Sequence, residues 1–213
     1  MKLQNGVTTL VLATHNRGKL REFRALLEPH GWQVLGLDDI CSVKDVKETG
    51  ASFAENARLK AISYSTITDR PVLADDSGLE VFSLVGRPGI RSARYAGKHA
   101  SDMDRIRKLL LELERTGRAR AARFVCALAL ARSGAVVLET EGECRGEIAR
   151  EPRGSHGFGY DPIFFIPELG RTYAELDEEE KNRCSHRAHA VAALLAGLRH
   201  AEKRCLTPDF QLE

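Results

Sequence analysis

Residues 72 to 81 read Val-Leu-Ala-Asp-Asp-Ser-Gly-Leu-Glu-Val, and this run constrains the chain more than any other. Val72-Leu73-Ala74 is apolar and strand-like, and it delivers two consecutive carboxylates, Asp75 and Asp76. Like charges packed together at the lip of a strand are costly. A divalent cation makes such a pair favourable by attracting and ordering both carboxylates. Ser77-Gly78 is expected to turn the chain before the apolar pattern resumes, because Asp, Ser and Gly are ordinary turn formers. Taken alone, these residues suit an exposed turn as well as a metal site.

The flanking pattern alternates strand and helix. Val7 to Ala13 reads as a buried strand and leads into the polar turn Thr14-His15-Asn16-Arg17-Gly18-Lys19. A helix follows with Leu20, Phe23 and Leu27 on one stripe, ending near Gly31. Trp32 to Leu37 looks like a second strand. Ser52-Phe53-Ala54-Glu55 matches a capping box for a helix that carries Asn56 and Lys60 on one face. A loop punctuated by Gly86-Arg87-Pro88-Gly89 runs on to Gly97. Ser101 is then placed to cap a helix with Met103, Ile106, Leu109, Leu110 and Leu113 on its apolar face.

Arg123 to Ala131 and Ala135 to Thr140 read as a hairpin around Ser133-Gly134. A loop from Arg150 to Pro162 carries Gly154, Gly157 and Gly159, and an aromatic strand spans Ile163 to Ile166. The last helix, from about Ser185, buries Val191, Leu194, Leu195 and Leu198, and a loose tail is expected from Leu206. No repeat or linker divides residues 1 to 213, which therefore read as a single domain. The mixed order argues for an α/β fold with a mixed sheet.

Composition excludes several classes of function. With 32 basic and 30 acidic side chains the formal charge is +2, so nothing draws the whole chain to nucleic acid or to an anionic membrane. The longest apolar stretches, near Phe124 to Ala131 and Ala190 to Leu198, are too short to span a bilayer. Met1 to Gly6 has no signal-peptide pattern. Five cysteines without a CxxC pair argue for a reducing cytosol, against both a disulfide framework and a thiolate zinc site.

Several constellations carry chemistry. Thr14 to Lys19 joins strand to helix, where free N–H groups and the Lys19 ammonium suit a phosphate. It is not a Walker A loop, and Gly154, Gly157 and Gly159 do not form a dinucleotide fingerprint. His186 and His189 are three apart with Cys184 near, but HxxH without a third ligand is weak support for zinc. Lys181, Arg183, His186 and Arg187 cluster beside the acidic run Asp177 to Glu180, an arrangement that a solvated basic patch would also explain. Phe164 and Phe165 suit a core. Phe158, between two glycines, has backbone freedom around it and a ring free to stack on a flat ligand.

The combination is what a magnesium nucleotide needs. The segments THNRGK, FAENARLKA, ADDSGLEV, PGIRSARYAG, GFGYDPIF and SHR follow in order. Across about residues 7 to 200 the chain resembles the non-canonical purine nucleoside triphosphate pyrophosphatases, which are inosine triphosphatase-like enzymes. Lys47, before Glu48-Thr49-Gly50, stands where relatives often carry a second acid.

The resemblance implies Mg²⁺-dependent hydrolysis of ITP, dITP and XTP to the monophosphate and pyrophosphate by a cytoplasmic homodimer. It also implies an elongated mixed sheet whose two lobes flank a nucleotide cleft. It assigns Thr14, His15, Asn16, Arg17, Gly18 and Lys19 to the triphosphate turn, with Lys60 adding charge and Ser77 touching substrate. Glu48, Asp75 and Asp76 match the metal site, and Asp76 the general base. Phe158, Gly159, Tyr160, Asp161, Lys181, His186 and Arg187 match the base pocket, the segment around His186 and Arg187 supplying donors to the purine 6-oxo group. Neighbouring strand residues point to opposite faces, so Asp75 and Asp76 can share one site only if the chain bends at Ser77-Gly78. The competing readings are a non-hydrolytic purine-nucleotide sensor and a pyrophosphatase for pyrimidine or modified nucleotides.

Overall fold

The computed structural model describes residues 8–40, 45–117 and 119–206, with residues 202–206 by their helical backbone alone. Val7, expected to open the first strand, and the expected tail beyond Leu206 lie outside these residues. The elements in order are β1 (Thr8–Leu12), α1 (Arg17–Leu27), β2 (Trp32–Gly36), α2 (Phe53–Ser65), β3 (Val72–Val81) and α3 (Asp102–Thr116). They continue with β4 (Ala121–Arg132), β5 (Ala135–Ile148), β6 (Phe164–Ile166), β7 (Arg171–Thr172), α4 (Glu178–Cys184) and α5 (His186–Leu206). The strands form one sheet in the order β2-β1-β3-β4-β5-β6-β7. β2, β1 and β3 run parallel and every later pairing is antiparallel, so the sheet is mixed, as the order of sequence patterns implies.

One expectation needs correction and one alternative falls away. Ser77-Gly78 does not turn the chain: β3 runs straight through it, with Asp76, Ser77 and Gly78 paired in unbroken register to Ala127, Cys126 and Val125. Gly78 is a packing glycine, since a Cβ there would lie 2.5 Å from Ser92 Oγ and 2.7 Å from Gly89 O. Its role is close approach within a strand. The basic cluster after Asp177 is not only a solvated patch. It contains a separate helix, α4, started by a capping box in which Asp177 accepts from Glu180 N at 2.8 Å.

Alternation along the strands sorts side chains onto two faces. Leu10, Leu12, Leu73, Leu128 and Leu130 meet α1 and α5 through Phe23, Leu27, Val191 and Leu194. Val72, Ala74, Ala127, Ala129 and Ala131 meet α2 through Ala57 and Ala61. The second face is built from small side chains, so α2 lies close and the polar residues between its alanines reach the sheet. Beyond β3 a third cluster packs α3 through Ile106, Leu109 and Leu113 against Leu79, Val81, Phe124, Phe164 and Tyr173.

α5 rests directly on the backbone of β5 at Gly142, where a Cβ would stand 2.2 Å from Ala190 N and 2.4 Å from His186 O. Both neighbours are main-chain atoms and cannot swing aside. Gly142→Ala is therefore expected to lower unfolding free energy by about 1–3 kcal/mol through overpacking, read from urea denaturation. An unchanged midpoint would show that α5 is free to shift on the sheet.

Candidate active site

β1 ends while its neighbour β3 continues, and the polar turn Thr14–Lys19 emerges at that step. The turn is built from its own side chains. Thr14 Oγ1 accepts from Asn16 N at 3.1 Å, and Asn16 Oδ1 caps α1 by accepting from Gly18 N and Lys19 N at 2.8 and 3.1 Å. No acid sits in the first turn of α1, so its positive end has no internal counter-charge. Lys19 Nζ instead reaches Asp75 Oδ1 at 2.6 Å.

The pleat places Asp75 and Asp76, both buried, on opposite faces. Asp75 lies on the α1/α5 face with Lys19, and Cys126 donates to its Oδ2 at 3.5 Å. Burial pushes this carboxyl up, but Lys19, Arg187 and Lys60 outweigh it and hold the group well below the usual carboxylate range. Asp76 lies on the α2 face, where Asn56 Nδ2 donates to Oδ2 at 3.1 Å and Lys60 Nζ stands 3.4 Å from Oδ1. Lys60 Nζ also donates to Glu48 Oε1 at 2.9 Å and to the Asp75 carbonyl at 2.7 Å. Burial raises Asp76, Lys60 opposes it, and the Glu48 and Asp75 carboxylates add to the rise. Two neighbouring acids thus differ in proton affinity, one suited to a fixed counter-charge and the other to accepting a proton.

The Gly157–Asp161 turn closes the α1 side. Phe158 lays its ring over Gly18, whose Cβ would meet Phe158 Cδ1 at 2.7 Å. Lys181 Nζ and Arg187 Cζ stand 5.2 and 5.1 Å from the ring centroid. Asp161 Oδ2 accepts from Phe158 N at 2.8 Å and from Lys181 Nζ at 2.5 Å. Arg187 Nη2 donates to Ser77 Oγ at 2.9 Å, which brings Ser77 into the group, while its Nε is buried with no hydrogen-bond partner among the described residues.

The remaining candidates make other contacts. His186 is buried at 1% exposure, stacked on Phe124 with centroids 4.6 Å apart, and both ring nitrogens lack partners among the described residues. Burial, with Arg187 and Lys181 near, pushes its pKa well down, so it is neutral and faces the core. His189 is exposed, with its Nδ1 2.7 Å from Glu143 O, and the HxxH pair does not converge. His15 is held by Asp38 and Asp45 at 3.3 and 3.2 Å, and Arg17 is exposed. Gly159 N donates to Asp102 Oδ2 at 2.8 Å, and Tyr160 Oη donates to Ser92 O at 3.0 Å. A groove of about 670 Å³ opens on the α2 side beside Phe53, Arg91 and Arg94. Another of about 390 Å³ lies beside Thr14, Asn16 and Asp38.

Among the described residues no group of three or more His, Cys, Asp or Glu converges as a metal cage. Glu48 and Asp76 both contact Lys60 on the α2 face, with Asp75 turned to the other face. β3 makes no bend at Ser77-Gly78, so Asp75 and Asp76, both expected with Glu48 at the metal site, face opposite sides of the sheet. Two hard carboxylates still fit Mg²⁺, which uses one or two protein carboxylates and completes its shell with water and phosphate oxygens. The raised Asp76 beside Glu48 is the like-charge situation that a cation relieves.

One residue of this site went unmarked in the sequence. Glu22, 6% exposed, bridges Lys181 through Oε1 and Arg187 through Oε2, both at 2.8 Å. The available signal was a glutamate beside Phe23 on the buried stripe of α1.

The Ham1 family model matches residues 10–197. A dITP/XTP pyrophosphatase of Halalkalibacterium halodurans is 50% identical over 185 residues, 86% of this chain and 95% of that protein. One from Bacillus subtilis is 47% identical over 86% of this chain and 93% of its own. Among solved structures, a HAM1 protein from Coxiella burnetii superposes with a TM-score of 0.82 at 45% identity, covering 91% of this chain and all of its own, 100%. The Staphylococcus aureus Ham1 protein gives 0.80 at 42% identity, with coverage of 91% and 100%.

Burial pushes Glu22 up, and Arg187 and Lys181 more than reverse this, leaving it below its ordinary 4.5. Its stabilising charge is therefore present above pH 4.5 and lost as pH falls through the lower folded value. Glu22→Gln leaves two buried cations short of a partner and should cost roughly 3–5 kcal/mol at pH 7. The gap from wild type in urea midpoint should narrow below pH 4.5. Equal midpoints at pH 7 would remove Glu22 from this role.

Proposed function

This chain belongs to the Ham1 family, and from that premise we propose that it hydrolyses ITP, dITP and XTP at the α-phosphorus, releasing the monophosphate and pyrophosphate. The observation that carries the reading is the convergence of Lys19 and Lys60, from opposite faces of the sheet, on adjacent carboxylates of unlike proton affinity. The relatives named dITP/XTP pyrophosphatase support the substrate class.

In this mechanism the positive end of α1, which has no acid in its first turn, and Lys19 hold the triphosphate, and Lys60 adds charge from α2. Glu48 and Asp76 would hold Mg²⁺, which when bound would neutralise phosphate charge and favour ionisation of water. Asp76 accepts the proton of the attacking water at Oδ1, whose contact with Lys60 at 3.4 Å is longer than that of Oδ2 with Asn56 at 3.1 Å. Asp75 acts through charge on the other face, fixing Lys19. Positioning and charge neutralisation supply most of the rate in such phosphoryl chemistry.

Phe158 lifts from Gly18 and stacks on the purine. Arg187, whose Nε has no hydrogen-bond partner among the described residues, and Lys181 present donors that suit the 6-oxo group of hypoxanthine and xanthine. Adenine would set its own N–H groups against them, and buried mispairing of that kind gives large discrimination. His186 supports Arg187 from the core side. We further propose a cytoplasmic homodimer; among the described residues no helix is long and apolar enough to cross a membrane.

Phosphorus NMR of ITP incubated with Mg²⁺ should show pyrophosphate and IMP, and chelator should abolish turnover. Orthophosphate as first product would overturn the assignment, and binding without turnover would favour a sensor. Asp76→Asn should keep the fold and lower kcat by about 10²-fold or more, as loss of a positioned base does. Asp75→Asn should chiefly destabilise the protein, since it strands Lys19. Steady-state kinetics with thermal melts separates the two, and an Asp76→Asn enzyme of near wild-type kcat would move the base elsewhere.

A further inference from the structure

We propose that Asp102, braced by Arg105, is a positioning residue that holds the base-binding turn and so sets affinity for the purine without touching it. The inference rests on the base pocket described above and names a determinant of it on a separate helix.

Asp102 is the first residue of α3, a helix anchored in the far-end core by Ile106, Leu109 and Leu113. Its two oxygens are used differently. Oδ2 accepts from Gly159 N at 2.8 Å, and Oδ1 pairs with Arg105 Nη2. Arg105 Nη1 also donates to Ala93 O at 2.9 Å and to Ala100 O at 2.7 Å, which fixes the segment leading into α3. That segment follows Ser92, whose carbonyl receives the Tyr160 hydroxyl at 3.0 Å. The turn carrying Phe158 is thus pinned at three points: Asp161 on its own backbone, Ser92 through Tyr160, and Asp102 through Gly159.

Helix capping does not account for Asp102. Ser101 and Asp104 already form the cap, with Ser101 Oγ accepting from Asp104 N at 3.2 Å and Asp104 Oδ2 accepting from Ser101 N at 3.0 Å. Nor is Asp102 buried for packing, as its side chain is 44% exposed. Gly159 has φ +66 and no side chain to hold it, so the acceptor on α3 selects its conformation. Phe158 is the adjacent residue, and its ring follows that backbone.

Inhibition of ITP hydrolysis by IMP and by inorganic tripolyphosphate tests this, because only IMP carries a base. Asp102→Ala should weaken IMP inhibition and raise KM for ITP by about tenfold, the loss expected for one hydrogen bond to a carboxylate. Tripolyphosphate inhibition should not change, and kcat should stay within about twofold, since the reacting atoms keep their contacts. Asp102→Asn keeps one acceptor and should fall between, which preserves the test if the alanine variant does not fold. Loss of both inhibitors together would show a general structural role and overturn the proposal, as would no change in either. Wild-type protein that leaves ITP intact defeats the functional reading. Wild-type activity with an Asp102→Ala variant indistinguishable from it defeats this inference alone.

Discussion

The pleat of β3 is the constraint on which the site depends. Consecutive strand residues face opposite sides, so two aspartates adjacent in sequence meet two unrelated sets of neighbours. Asp75 meets Lys19 of α1, and Asp76 meets Lys60 and Asn56 of α2. One strand thereby places a strongly ionised carboxylate back to back with one of raised proton affinity. A bend at Ser77-Gly78 would have merged the two environments and lost that difference.

Buried charge on the α1/α5 face is tolerated because it is shared. Glu22 serves both Lys181 and Arg187, Asp161 serves Lys181 again, and Asp75 serves Lys19. Removing one member leaves another uncompensated, and that penalty exceeds what the intact pair contributes. The same contacts tie α1 to α4 and α5, elements more than 150 residues apart in the chain by the separations of these bonds, 159 and 165. Cohesion of the fold and ordering of the candidate site are therefore served by one set of side chains. Phe158, set between two of these cations and Gly18, reports on whether that set is in place.

Much of the fold was legible because periodicity and caps are local. The stripe of α1, the Ser101 cap and the hairpin at Ser133-Gly134 appear where residue pattern places them. The failures were also physical. Ser77-Gly78 has turn composition, yet the register of β4 and the space taken by Ser92 and Gly89 keep it in a strand. The basic residues after Asp177 look solvated until a capping box turns them into α4 and Glu22 draws Lys181 inside. His186 shares its motif with Arg187, but successive helical residues diverge by about 100°, so one ring enters the aromatic core and the other side chain reaches Ser77.

The amino-acid sequence by itself determined the α/β class, most element positions and the family, because these rest on short-range pattern and on motifs that can be read residue by residue. Only the tertiary structure decided which carboxylate meets which cation, that Glu22 joins the site, and that Asp102 reaches the Phe158 turn. Those contacts join elements distant in the chain. Their energies depend on burial and on shared partners, which exist only once the sheet has brought the elements together.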